Sequence, residues 1–168
     1  KETQSAPSKS AIKLEEAFEW LNLEPSKSET VVDLGAAPGG WTSVLLKHKA
    51  RVMAVDRQPL KIELPKRRAV YIEANAFQFS PPETVDWVFI DLAQRPLDVA
   101  KLVAKWGRHV WARQMLVSFK LPSKDRAKTL HRLIDLMQSG GWKDVQARQL
   151  YQDKKEVKVF AWLDPKIA

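Results

Sequence analysis

Two lysines and two carboxylic acids of this sequence are placed where they can meet at one edge of a sheet. Asp91 ends one predicted buried strand and Lys120 ends the next. Because parallel strands end at the same edge of a sheet, we expect both side chains there. Glu156 is predicted to begin a last, antiparallel strand, which starts at that edge, and Lys13 lies near the start of the first predicted helix. The sequence therefore predicts that all four side chains meet at one site.

Such a set of residues can remove a proton from a poor nucleophile such as a ribose hydroxyl. A lysine is a base only when it is neutral, and both a neighbouring ammonium and desolvation lower the pKa of a lysine. Lys13 beside Lys120 supplies a neighbouring ammonium. Asp91 and Glu156 favour the charged form instead, so we expect them to orient the two ammonium groups. Each of these residues taken alone is also typical of a solvent-exposed surface, so the hypothesis depends on their convergence.

Alternating strand and helix patterns predict the elements that position these residues. The first predicted helix is capped at its N-terminus by Ser10, and the last predicted helix is capped at its N-terminus by Ser123. The last two predicted strands are joined by a short polar loop over 152–155, which permits only antiparallel pairing. We therefore predict an α/β fold with a mostly parallel seven-stranded sheet and an antiparallel hairpin at one edge. The predicted helices cover 11–23, 41–49, 96–108 and 123–139, and the predicted strands cover 30–34, 51–56, 69–73, 85–91, 114–120, 142–149 and 156–162.

A glycine-rich segment, D-L-G-A-A-P-G-G-W-T over residues 33–42, joins the first strand to a helix. Small residues let the backbone approach a ligand closely, and the first amides of the helix face that ligand. Trp41 follows the glycines where a P-loop has Lys, and the spacing is not that of a dinucleotide fingerprint. Asp56 ends the second strand, where an acid can accept both hydroxyls of an adenosine ribose. Loop and acid together favour S-adenosylmethionine, with Asp33 and the loop amides at its amino-acid end.

Composition restricts the class of partner. The 168 residues carry 28 Lys and Arg against 20 Asp and Glu, a net charge of +8, which favours nucleic acid over an anionic membrane. There is no cysteine, which excludes disulfides and thiolate sites and is compatible with the cytoplasm, and the three histidines lack metal-ligand spacing, so we predict no metal. Residues 1–10 are predicted to be a linker or flexible arm and 11–168 the catalytic domain, with a monomer as the default. A phosphate-binding rim is predicted from Lys61, Lys66, Arg67, Arg68, Arg108, Arg113, Lys124, Arg126, Lys128 and Arg132.

Five segments together resemble the FtsJ-type family of 2′-O-ribose RNA methyltransferases. They are I-K-L-E-E-A-F from Ile12, the glycine segment, F-I-D ending at Asp91, F-K-L-P from Phe119, and Q-A-R-Q-L-Y-Q-D-K-K-E-V-K-V from Gln146. The glycine segment is shared with many methyltransferases, whereas the first and last segments are much more specific. The resemblance extends over nearly all of 10–162 and is closest to family members that methylate a cytidine of 23S rRNA.

The resemblance implies a Rossmann-like, S-adenosylmethionine-dependent methyltransferase fold and a tetrad of Lys13, Asp91, Lys120 and Glu156, with Lys120 as the proton acceptor. We call these four residues the lysine–carboxylate cluster. The resemblance also implies RNA as the partner. Our predicted cofactor-binding residues are Ser10, Asp33, Gly35, Ala37, Pro38, Gly39, Gly40, Trp41, Asp56, Asn75 and Asp91.

Two departures from the family leave questions open. Family members usually carry an acid where Asn75 stands; an amide can still both donate to and accept from an adenine edge. Related proteins also carry an N-terminal RNA-binding domain that this chain lacks, so the chain is either a catalytic fragment or a shorter relative. Two alternatives stay open: a methyltransferase for a protein or small molecule, and an RNA-binding module that has lost its activity.

Overall fold

The computed structural model describes residues 8–150 and 153–163, which form four helices and seven strands within that part of the chain. Residues 1–7 of the arm predicted over 1–10 lie outside the described residues. The elements are α1 Lys9–Leu21, β1 Thr30–Leu34, α2 Gly40–Lys47, β2 Arg51–Asp56, β3 Ala69–Glu73, β4 Val85–Asp91, α3 Pro96–Arg108, β5 Ala112–Lys120, α4 Arg126–Ser139, β6 Trp142–Leu150 and β7 Asp153–Leu163.

All seven strands belong to one sheet in the order β3-β2-β1-β4-β5-β7-β6. The pairs from β3 to β5 are parallel, and β7 pairs antiparallel with both β5 and β6. This confirms the predicted mostly parallel sheet with an antiparallel hairpin at one edge. The order reverses between β1 and β4, and the carboxyl end of a sheet at such a switch point is where ligands bind in open α/β folds.

The sheet is covered on both faces, as its apolar strands require. On one face α1 and α2 pack over a cluster that includes Leu14, Phe18, Trp87 and Phe89. On the other face α3 and α4 pack over a larger cluster that includes Trp106. Burial of these aromatic rings, each of which is worth roughly 1.5–3 kcal/mol or more, fixes the strand ends relative to α1.

Two predicted helix starts in the first half of the chain are wrong, and both helices also end two residues before the predicted position. The first helix starts at Lys9, and its cap is Ser8, whose Oγ accepts from the Ala11 amide at 3.1 Å. Ser10, the predicted cap, lies inside the first turn, so the predicted end of the arm at residue 10 falls within α1. The second helix begins at Gly40 instead of Trp41. Both serines satisfy a cap preference, and sequence alone does not choose between them.

Three predicted element starts in the second half are also wrong, the first being that of β5, which begins at Ala112 and not at Gln114. The predicted cap Ser123 lies outside α4, which begins at Arg126 after Asp125, a residue with φ of 55° and no side-chain capping bond. Strand β7 starts at Asp153, so Glu156 is its fourth residue and not its first. Extended pairing continues there because the Leu121 amide donates to the Lys155 carbonyl at 2.8 Å.

Candidate active site

The glycine segment is held tightly against its neighbours. Gly35 has φ of +78°, and a Cβ at this position would lie 2.5 Å from the Asp91 carbonyl oxygen. Gly40 packs under the start of α1, where a Cβ would lie 2.8 Å from Ser8 Oγ. Only glycine allows these approaches. The segment therefore links the end of β4 to the first turn of α1, which are two elements that carry predicted site residues.

A cleft opens at the carboxyl edge of the sheet beside this segment. Three predicted cofactor residues, Gly35, Asp56 and Asn75, line it. The sequence did not single out the other lining residues, although each follows a strand end and Phe77 and Leu92 give the cleft apolar walls. These further lining residues are Arg57, Ala74, Ala76, Phe77, Leu92 and Gln94.

The polar groups of the cleft are ordered by backbone bonds. Asp56 Oδ2 accepts from the Ala37 amide and Oδ1 from the Gln58 amide, both at 2.9 Å. Asn75 Oδ1 accepts from the Phe77 amide at 3.0 Å. Each oxygen keeps a second lone pair. A fixed carboxylate, a fixed amide and apolar walls suit the ribose hydroxyls, the polar edge and the ring of an adenosine, so the residues present fit such a group.

Asp33 lies on β1 beneath the start of α2 and is fully buried. Its Oδ2 accepts from the Thr42 hydroxyl at 2.7 Å, whereas Oδ1 has no hydrogen-bond partner among the described residues. Burial raises the pKa of Asp33 to about 7, the Thr42 bond opposes this, and the charges of Asp91 and Asp56 add to it. A buried acceptor without a partner fits the predicted contact with a ligand's amino group, which stays a prediction.

Two other predicted cofactor residues contact each other. The indole nitrogen of Trp41 donates to the Ser10 carbonyl at 3.1 Å, and the ring is buried against Phe89. Trp41 therefore fixes α1 on the sheet. Eight predicted cofactor residues are not part of the described lining of the cleft, so their contact with a cofactor stays a prediction; they are Ser10, Asp33, Ala37, Pro38, Gly39, Gly40, Trp41 and Asp91.

The structure brings Lys13 and Glu156 into direct contact. Lys13 Nζ on α1 lies 2.6 Å from Glu156 Oε2 on β7, although 143 residues separate them in the chain. Their side chains are 18% and 7% exposed, so the pair faces little water. A charge-assisted bond of this length, shielded from solvent, is stronger than a surface ion pair. The two members of the lysine–carboxylate cluster that were hardest to place from sequence are thus in contact.

The other two members lie on adjacent strands. Lys120 is opposite Glu156 in the β5–β7 register, which puts both side chains on the α1 face of the sheet, and the Lys120 side chain reaches solvent. Asp91 pairs with Ser118 on the same face. Burial raises the pKa of Asp91, and the charges of Lys158, Lys13 and Lys120 oppose this rise. All four members of the cluster therefore gather at one edge.

A fifth charged residue, Lys158, joins this site and was missed by the sequence analysis. Its ammonium is fully buried and lies 2.5 Å from Glu156 Oε1. Ser118 Oγ donates to the same oxygen at 2.5 Å. Burial by itself would raise the pKa of Glu156, but Lys158 and the bonds from Lys13 and Ser118 lower it to about 2. Glu156 is therefore a carboxylate at neutral pH, held from both sides.

The predicted basic rim divides between two edges of the sheet. Lys61 lies beside the glycine segment, because its backbone amide donates a hydrogen bond to the Pro38 carbonyl at 2.8 Å. Lys124 and Lys128 follow the end of β5. Arg113 lies seven residues before Lys120 on β5, about 23 Å away along an extended strand. The prediction of a rim formed by all ten residues is wrong, because Lys66, Arg67, Arg68, Arg108 and Arg113 lie at the opposite edge, near strand starts.

The described residues contain neither a group of metal ligands nor a membrane-spanning helix. Over 8–150 and 153–163, His, Asp and Glu side chains form no group of three or more that can hold a metal ion. In the same ranges no helix has the length and apolar character needed to cross a membrane.

Solved structures with similar folds include a putative hemolysin from Lactococcus lactis, with a TM-score of 0.73 and 18% identity, covering 94% of this chain and 88% of the other. A putative ribosomal RNA methyltransferase from Plasmodium falciparum gives 0.65 and 14% identity, with 94% and 98% covered. Identities this low show the fold alone, and they agree with the predicted Rossmann-like methyltransferase architecture.

Sequence comparisons are more specific. The model of the FtsJ-like methyltransferase family matches residues 6–101. Ribosomal RNA large subunit methyltransferase M of Marinomonas sp. is 38% identical over 167 residues, covering 92% of this chain and 48% of the relative. The protein of that name from Alkalilimnicola ehrlichii is 40% identical over 171 residues, covering 95% and 46%. The chain spans about half the length of these curated relatives. The predicted resemblance is thus confirmed, and the chain belongs to the FtsJ-like methyltransferase family.

Proposed function

We propose that this chain transfers a methyl group from S-adenosylmethionine to a ribose 2′-hydroxyl of RNA. The observation that carries the proposal is the 2.6 Å contact between Lys13 and Glu156 at the edge where Asp91 and Lys120 also lie. Family membership supports methyl transfer, and the names of the relatives support ribosomal RNA of the large subunit as substrate. Within that RNA we propose a cytidine of the 23S species. We propose the cytoplasm as the place where the chain acts.

The proposed cofactor site is the cleft beside the glycine segment. Asp56 would accept the ribose hydroxyls, Asn75 would read the adenine edge, and the apolar walls would hold the ring. Asp33, with its unpartnered buried oxygen, would face the amino-acid end together with amides of the segment. When bound, the cofactor supplies an electrophilic methyl group on a positively charged sulfur.

The residues of the chain then position the hydroxyl and take its proton. Lys120 is the most exposed member of the lysine–carboxylate cluster, so it can contact an incoming ribose and accept the proton on Nζ. Glu156 holds the Lys13 ammonium through their hydrogen bond. Asp91 adds a second carboxylate, which keeps the net charge of the site close to zero. Lys61, Lys124 and Lys128, at the same edge, are placed to contact phosphates.

The test is methyl transfer to ribosomal RNA from a strain that lacks this modification. With isotope-labelled cofactor, we expect label in large-subunit RNA, at a single ribose 2′-oxygen when the site is mapped. Lys120→Ala should reduce transfer at least about a hundredfold, as expected for loss of a general base, while calorimetry shows unchanged cofactor affinity. Lys143→Ala, which removes a lysine at the opposite edge of the sheet, is the matched control and should keep full activity.

Three outcomes would contradict the proposal in different ways. Label in a protein or small molecule, with RNA inert, would favour a different acceptor. Cofactor affinity too weak to measure would favour an RNA-binding module without activity. Full activity in Lys120→Ala would show that another group takes the proton.

A further inference from the structure

Lys158 is a lysine in the interior of the protein. Its exposure is 0%, and its ammonium contacts Glu156 Oε1 at 2.5 Å, donates to Ser118 Oγ at 2.8 Å and lies 5.5 Å from the centre of the Trp41 ring. Removing an ammonium from water is costly unless it is paired, and a well-packed apolar residue is often at least as stabilising. Stability therefore gives no reason for a lysine here, and its position behind the lysine–carboxylate cluster suggests a role in chemistry.

The strand register places Lys158 in a row with Asp91 and Ser118. Asp91 pairs with Ser118 across β4 and β5, and Ser118 pairs with Lys158 across β5 and β7. All three side chains lie on the face covered by α1. The next row toward the carboxyl edge contains Lys120 and Glu156, so Lys158 lies one row deeper than the proposed base and cannot reach an RNA substrate.

The charges around Lys158 come from five elements. They are Lys13 on α1, Asp91 on β4, Lys120 on β5, Glu156 on its own strand, and Arg148, which is opposite on β6 with an exposed side chain. In the interior of the site, Asp91 and Glu156 contribute two negative charges, and Lys13 and Lys158 contribute two positive ones. The charges of these four residues sum to zero without Lys120. A charged Lys120 therefore gives the site a net positive charge.

We propose that Lys158 is a positioning residue for methyl transfer: its buried ammonium holds Glu156 against Lys13 and balances the second carboxylate, so that Lys120 is left as the surplus cation that gives up its proton. Without Lys158 the two carboxylates would instead hold the proton on Lys120. This inference rests on the proposed function. It adds a fifth charged residue to the four that the family resemblance implies.

The influence of Lys158 on the pKa values of the two carboxylates agrees with this role. After burial, Lys158 is the largest influence on the pKa of both Asp91 and Glu156, and in each case it favours the ionised form. The Glu156 carboxylate receives bonds from Lys13 on one oxygen and from Lys158 and Ser118 on the other. Lys158 therefore fixes both the charge and the orientation of the group that holds Lys13.

The test is the pH dependence of kcat in Lys158→Met, which keeps the length of the side chain and removes its charge. Diagonal neighbours on adjacent strands are about 7–8 Å apart, and a unit charge at that distance shifts a titration by about one pH unit or more. We expect the rise of kcat with pH to move about one unit higher, with a roughly tenfold loss at pH 7. The KM for RNA should not change, because Lys158 does not reach the substrate.

Two controls separate this effect from a general loss of structure. Lys143→Met removes an equal charge at the opposite edge and should leave the pH profile in place. Ser118→Ala removes a hydrogen bond to Glu156 but no charge, so it should lower kcat without moving the profile. Thermal unfolding monitors the fold, and if Lys158→Met does not fold, Lys158→Gln, which keeps a donor but no charge, replaces it.

A second measurement needs no methyl transfer and so separates this inference from the proposed function. Lysine amines are labelled with acetic anhydride over a range of pH, and peptide mass spectrometry follows the fraction of Lys120 that reacts. The pH at which labelling of Lys120 is half-maximal should rise by about one pH unit in Lys158→Met. It should not change in Lys143→Met. Equal midpoints in all three proteins would overturn the inference, even if the wild-type chain methylates RNA. If the wild type is inactive but the midpoint still differs between wild type and Lys158→Met, the proposed function is rejected, whereas the electrostatic effect of Lys158 on Lys120 stands.

Discussion

The buried carboxyl of Asp33 makes the stability of this protein depend on pH in a direction opposite to that of most acids. Burial is the main cause that raises its pKa, from 3.8 to about 7. Between these two values the folded state binds a proton that the unfolded state has released. Because stability falls with pH wherever the folded state binds more protons, Asp33 destabilises the fold progressively from about pH 4 to pH 7.

The substitution that tests this pH-dependent destabilisation is Asp33→Asn, because asparagine has nearly the same shape as aspartate but no charge. A shift of roughly three pKa units corresponds to about 4 kcal/mol between the two ends of the range, as an upper value. The amide oxygen can still accept from Thr42, but its NH2 group would replace the oxygen that has no partner, at a cost of about 1–3 kcal/mol. We therefore expect the variant to be less stable than wild type at pH 4 and more stable at pH 8.

The assay is urea unfolding of both proteins at closely spaced pH values between 4 and 8. The difference in free energy of unfolding, variant minus wild type, should rise with pH by up to about 4 kcal/mol. Asp144→Asn, at an exposed position with φ of 52°, is a matched control whose difference should stay nearly constant. Parallel curves for Asp33→Asn and wild type would refute the reasoning, because they would mean that Asp33 has the same proton affinity in both states.

Two further predictions concern the connection between the glycine segment and α1. Gly35→Ala should lower the free energy of unfolding by about 2 kcal/mol or more, because a Cβ would lie 2.5 Å from the Asp91 carbonyl and φ is +78°; thermal unfolding measures this, and a change within 0.5 kcal/mol would contradict the packing described. Ser8→Ala should cost about 1 kcal/mol through loss of the α1 cap. Equal melting temperatures for wild type and Ser8→Ala would show that the helix does not depend on that bond.

The mostly parallel character of the sheet and the edge at which the site lies were predictable from sequence. Short β-branched runs ending at Asp56, Asp91 and Lys120 indicate parallel strands, and their carboxyl ends converge by geometry alone. The short loop after β6 required an antiparallel partner. What sequence could not give was the depth of each side chain below the surface, because this depends on which helix covers which strand.

Lys158 illustrates that limit. Residues 156–162 alternate, and a lysine in such a pattern is normally read as facing solvent. Strand β7 lies between β5 and β6, however, and α1 with Trp41 covers the face that carries Lys158. The one available signal was its spacing of two residues from Glu156, which places both side chains on the same face.

The error about the basic rim has a related cause. Net charge counts residues, and it carries no information about their position along a strand or about the edge at which they lie. Arg113 and Lys120 are close in sequence and belong to the same strand, but they are separated by nearly its full length. The starts of α1 at Lys9 and of α4 at Arg126 were also not predictable, because they depend on the local backbone conformation. A nearby serine that could cap the helix does not fix the residue at which the helix begins.

The position of β7 between β5 and β6 has a consequence for how the protein folds. Strand β6 pairs with β7 and is made before it during synthesis, so it has no neighbour in the sheet until the final strand has been inserted beside β5. The same insertion brings Glu156 to a lysine that was synthesised more than a hundred residues earlier. Pairings of such long sequence separation form slowly. The lysine–carboxylate cluster therefore depends on the last strand, and a chain that stops before β7 lacks the acid that contacts Lys13.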